Sequence, residues 1–286
     1  MRDRIDSLLE LPVDRRKQYG FVYRTNFMTL LKCSLLLIPF CLPVFAQLIS
    51  LLIYTGPIVV NSSLSAAEKF VSLLNLIKVI SLFTPLSLPL LSIGMLGIAN
   101  IYKKIIYNDG FLFFRDFKSG IKEGKQGILL SFLLSVLMTM LVIGTLSLYP
   151  FLSLTGFFVL CFVMLLLLFL SFILLQYQNL FSLYYYQNLF CNIKNSFLFT
   201  FHSLFSSFGI LFLEIGVFVI LYSIDWISLS RLTFLTLIGL ILQIFFFSSN
   251  GMLVFQLNAV SKFDKLINIK DYPEMYRKGL YHENEE

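Results

Sequence analysis

Ionisable and hydrogen-bonding side chains set inside apolar stretches are where this sequence could do chemistry. Glu214 is an acid near the middle of a long apolar run. Charge is expensive in an apolar medium, so such a group must be protonated, paired or beside water, and it often marks an ion or solute path. Gln243, Gln176 and Lys78 lie on other apolar runs and are the candidate partners. With Glu214 they form a candidate intramembrane polar site. The alternative is plain packing: a protonated Glu214 hydrogen-bonded to a neighbouring helix, with Lys78 snorkelling from the end of its run.

The second concentration of chemistry is the stretch 101–126, which is dense in basic and aromatic residues. Phe113, Phe114, Phe117 and Ile121 recur at helical spacing, while Arg115, Lys118, Lys122 and Lys125 fall mostly on other faces. That pattern predicts a basic amphipathic helix lying at an anionic membrane surface. Arg115, Asp116, Phe117, Lys118, Lys122, Lys125 and Gln126, with Lys194 from a later segment, make up a candidate docking or lipid-facing surface. The plainer reading of the same residues is a positively charged anchor with no partner.

Enzyme templates find no footing. There is no G-x-S-x-G elbow, no P-loop and no H-E-x-x-H. Glu214 alone cannot supply the paired acids of an intramembrane aspartyl protease. His202 and His282 are the only histidines, and Cys33, Cys41, Cys161 and Cys191 form no C-x-x-C pair. No metal or cofactor is expected, because zinc sites need several convergent ligands. The formal net charge of +6 comes with no nucleic-acid-binding signature, so nucleic acid is not an expected partner.

These residues are carried by apolar segments that are too abundant for one water-soluble core. The 286-residue chain is 58% hydrophobic and 13% charged, with a mean hydropathy of +0.84; soluble domains carry about 25% charged residues. Six stretches approach the roughly 20 apolar residues that cross a bilayer: 31–54, 79–100 with a start as early as 71, 128–148, 152–177, 204–223 and 229–255. Pro85 and Pro89 predict a kink in the second. No apolar region near Met1 reads as a cleavable signal, so the first span is expected to be an uncleaved anchor.

Basic residues fix the expected orientation. Eighteen of the 22 lie before the first span, in the second and fourth connections, or after the sixth. The fold class expected is therefore an all-α, polytopic membrane helix bundle with six spans, a basic amphipathic cytoplasmic connection and both ends cytoplasmic. Its parts are a cytoplasmic segment 1–30, a membrane domain 31–255 and a cytoplasmic tail 256–286. Membrane lipids, with an anionic inner leaflet, are the expected environment.

Several of these residues carry a resemblance. Gly94-Met-Leu-Gly97, then Asp116-Phe117-Lys118, then Lys122 and Lys125-Gln126, resemble the bacterial YesL-like membrane proteins, a family defined by a domain of unknown function. Asn26-Phe27 through Lys32 with Leu42-Pro43, and Lys194-Asn195-Ser196-Phe197, are similar to further family elements. Where the family has asparagine in its closing Lys-x-Asn element, this chain has Glu123 or Gly124. The dense part of the likeness covers the stretch around 94–126. The resemblance implies a protein of the bacterial cytoplasmic membrane linked to carbohydrate uptake. It would be a non-enzymatic accessory factor whose partner could be an ABC-type sugar transporter. The alternative is a small-solute transporter using Glu214 and the proline-kinked second span.

Overall fold

The computed structural model describes residues 11–185, 187–212 and 248–281. All regular structure among them is helical. The helices are α1 (Arg15–Val60), α2 (Ala66–Ser81), α3 (Thr84–Ile106), α4 (Phe113–Glu123), α5 (Lys125–Ser147), α6 (Leu154–Tyr184), α7 (Leu189–His202), α8 (Leu204–Phe212) and α9 (Ser248–Phe263). Among the described residues, α1, α3, α5 and α6 are long and apolar enough to cross a bilayer. α7 and α8, bent by 78° at their junction, make a fifth crossing if they form one broken span. The fifth and sixth spans expected from the sequence fall mostly outside the described residues.

The chain packs as two compact units. One contains the described parts of Met1–Leu37, Leu96–Lys122 and Ser203–Glu286; the other contains Ile38–Met95 and Glu123–His202.

The second unit is built as lipid solvent demands. On α5, Ser131, Ser135 and Thr139 are buried, while Leu133, Leu137 and Met140 are exposed. Each buried hydroxyl donates to a carbonyl of its own helix, at 2.7–2.9 Å. This inverts the pattern of a water-facing helix, whose apolar stripe points inward. On α6, Val159 and Phe162 are likewise exposed. A short 3-10 turn, Tyr149–Phe151, folds α5 back on α6 as an antiparallel hairpin. Ser153 caps the start of α6 by accepting from Gly156 N. Phe70, Tyr149 and Phe157 meet in an aromatic cluster with centroids 5.0–6.1 Å apart, above Leu74, Val142, Leu146 and Met164.

Two expectations about the first half of the chain need revision. The polar connection expected from residue 55 onward is shorter, because α1 stays helical through Gly56 and Pro57 to Val60. The expected second span starts later and after a break: α2 ends at Ser81, and α3, itself long and apolar enough to cross, starts at Thr84. Pro85 therefore sits in the first turn of α3, where its missing N–H costs nothing. Two carbonyls beside the break meet side chains from other helices, Ile80 O in addition to its backbone bond from Phe83 N at 3.1 Å. Gln47 Nε2 donates to Ile80 O at 3.3 Å, and Thr139 Oγ1, its proton shared with Ser135 O, lies 3.2 Å from Ser81 O. Gln47 is held in turn by Ser87 Oγ, 3.0 Å from its Oε1. Broken helices survive in lipid under this condition.

Candidate functional site

Three polar constellations stand out among the described residues. The first lies in the first unit and knits together segments far apart in sequence. Arg15 opens α1 and is 5% exposed. Its Nε donates to Asp264 Oδ2 at 3.0 Å, and its Nη1 donates to Gln18 Oε1 at 2.9 Å. Asp264 follows α9, and its other oxygen accepts from Asn268 Nδ2 at 2.8 Å. Gln18 Nε2 donates to Ile106 O at 2.6 Å, at the end of α3, and lies 3.4 Å from Gly279 O. Tyr281 N donates to Pro12 O, and Lys278 pairs with Asp109 at 3.0 Å. The Tyr107 ring lies between two cations, with Lys278 Nζ 5.3 Å and Arg15 Cζ 6.0 Å from its centroid. Gly279 has φ +78°, and a Cβ there would strike Ile106 O and Tyr107. We call this constellation the clasp.

The second constellation begins where the clasp touches α3. Asn108, at φ 54°, ends that helix in a left-handed cap, with Asp109 N donating to Lys104 O at 2.8 Å. The chain turns at Gly110 and re-enters as α4. Asp116 is turned inward and buried: it accepts from Leu112 N at 2.6 Å and pairs with Lys104 at 3.0 Å. Its carbonyl accepts from Asn100 Nδ2 at 2.8 Å. Gly97 lies under the Phe117 ring, and Gly120 rests on Leu96 O and Asn100. The glycines, the Asp-Phe pair and Asn100 therefore act as one packing device that locks α4 to α3. Arg115, Lys118 and Lys122 point outward and are exposed, and Phe114 is 75% exposed. Lys125 and Lys194 are exposed and Gln126 is half-buried, all three in the second unit.

The third lies in the second unit, at the end of α6. Gln176, Gln178 and Asn179 are buried there in an otherwise apolar helix, and Asn192 is buried on α7. Asn179 Oδ1 accepts from Ser92 Oγ at 3.0 Å and fills the space over Gly127. Gln178 Oε1, Asn179 Nδ2 and Asn192 Nδ2 are buried without a hydrogen-bond partner among the described residues. Ser196 and Thr200 continue a buried polar stripe along α7.

Lys78 is half-buried near the end of α2. Glu214 and Gln243 lie outside the described residues. Tyr184 and Tyr185, at the end of α6, are buried; Tyr186 lies outside the described residues. Among the described residues no cluster of histidine, cysteine and acidic side chains could hold a metal ion.

Sequence reasoning missed the clasp altogether. Arg15 and Asp264 are 249 positions apart, and nothing local announces their pairing. Gly279, in a short polar tail, was the only local hint.

Comparison of the chain with models of known protein families, with characterised proteins and with solved structures finds no match.

Proposed function

We propose that this chain is a multi-pass protein of a bacterial cytoplasmic membrane. In this reading it has no chemistry of its own and serves as an accessory factor that docks a membrane partner through its basic side. The carrying observation is the clasp. Residues 12–18, 106–109 and 264–281 touch one another directly, so in a bilayer they share one side. The number of crossings between each pair of them is then even, which supports a six-span scheme. The exposed Arg115, Lys118 and Lys122 belong to the same unit and supply the positive charge that favours the cytoplasmic side. Of the residues that resemble the YesL-like pattern, Gly97, Asp116 and Phe117 pack in the α3–α4 lock; the link to carbohydrate uptake and to an ABC-type sugar transporter as partner rests on that resemblance.

The test is affinity capture in mild detergent from native membranes. A membrane partner should co-purify with the wild-type chain and be lost on Lys118→Glu with Lys122→Glu. Capture of no partner, or capture indifferent to those charges, would count against docking.

A second reading, a small-solute transporter, is favoured by one observation: the buried amides of Gln178, Asn179 and Asn192 have polar atoms with no partner among the described residues. In that reading Glu214 and the proline-containing second span lie along the path. Flux through the purified protein in liposomes, abolished by Glu214→Gln, would favour it over docking.

A further inference from the structure

We infer that the cleft between the end of α3 and the start of α4 binds the phosphodiester headgroup of an anionic membrane phospholipid. The cleft measures about 560 Å³ and is lined by Lys104, Gly110–Leu112, Arg115, Asp116 and Ser119. Its charged lining is two cations and one carboxylate, a net charge that matches one phosphodiester. Lys104 is engaged with Asp116, whereas Arg115 has no ion-pair partner among the described residues. A guanidinium presents a planar fork that suits phosphate oxygens.

The surroundings select a lipid over a soluble anion. Leu112 and Phe114 flank the cleft at 61% and 75% exposure, and Phe111 lines it. Apolar side chains so exposed beside a basic cleft are suited to enter the acyl boundary while the cations stay at headgroup depth. Lys118 and Lys122, exposed one and two turns further along α4, raise the local potential and favour a net-anionic headgroup over a zwitterionic one. The lock that holds α4 fixes the cleft: Asp116 ties Leu112 N to Lys104, and Gly97 and Gly120 bring the two helices together. This inference rests on the membrane placement but not on the accessory role.

The experiment uses the full chain, purified from the membrane fraction in mild detergent. Its melting temperature is followed with dioctanoyl phosphatidylglycerol, dioctanoyl phosphatidylcholine or sodium phosphate, and native mass spectrometry counts retained lipid. Saturable stabilisation by the phosphatidylglycerol alone is expected. Its apparent affinity should fall about tenfold in Arg115→Gln, the worth of one charge-assisted contact, and stay unchanged in Lys194→Gln. Both substituted positions are exposed, so the variants should purify as monodisperse as the wild type. Equal stabilisation by both lipids, an Arg115→Gln variant that binds like the wild type, or the same effect from free phosphate would overturn the lipid site. Recovery of the chain without detergent would instead remove the membrane placement itself, and is read separately.

Discussion

Arg15 and Asp264 meet where water is excluded, and each makes one further bond to an amide, Gln18 for the arginine and Asn268 for the aspartate. Such a pair adds little over an apolar replacement, but losing one partner strands a charge at a cost of about 3–5 kcal/mol. Asp264→Asn should therefore lower thermal stability sharply in detergent, whereas Lys278→Gln, which breaks the exposed pair with Asp109, should cost under about 1 kcal/mol. Near-equal melting temperatures for the two variants would mean the buried pair does not hold the clasp. Gly279→Ala probes the same place by a different route. It adds a Cβ in a left-handed conformation, costing about 1–2 kcal/mol before the clash with Ile106 O is counted. Loss of protection of the tail in hydrogen exchange is the expected readout.

At the scale of elements, the α3–α4 lock and the break between α2 and α3 make separate predictions. Gly97→Val drives a branched side chain into the Phe117 ring and should cost about 1–3 kcal/mol by overpacking. Protease nicking near residues 108–112 should rise with it; an unchanged cleavage pattern would mean α4 is not held by this contact. The start of α2 is set by a capping box, with Ser65 N donating to Glu68 Oε2 at 2.8 Å and Ser65 Oγ accepting from Glu68 N. The bonds that Ser65 N and Ser65 Oγ donate to the Glu68 carboxyl, each 2.8 Å, hold it below its ordinary value of 4.5. Its contribution is therefore fully present above that value and lost as pH falls through the lowered one. Exchange protection in the first turn of α2 should decline in that acid window and be flat across it in Glu68→Gln. Much at this scale was legible beforehand. Apolar length located α3, α5 and α6, and the basic-aromatic periodicity located α4. The break at Leu82 and Phe83 was not, because the side chains that meet the carbonyls beside it, Gln47 and Thr139, come from other helices. Nor could spacing show that Asp116 faces inward while its neighbours Arg115 and Lys118 face out.

For the whole molecule, the informative helices are α5 and α6, which present apolar side chains outward and bury hydroxyls and amides. That is the reverse of the order a water-facing protein adopts, and it supports lipid as the surrounding solvent. Composition already indicated this solvent, and the distribution of lysine and arginine indicated an orientation. Neither could show which remote segments close on one another. The clasp adds that constraint, since 12–18, 106–109 and 264–281 can meet only on a shared side. The measurement that tests it most directly is cysteine labelling in intact cells. Asp14→Cys, Asn108→Cys and Arg277→Cys, each in a chain whose native cysteines are replaced by serine, are exposed to a membrane-impermeant maleimide before and after permeabilisation. The account predicts that all three stay unlabelled in intact cells and react after permeabilisation. Labelling of any one of them from outside, with the others protected, would contradict it.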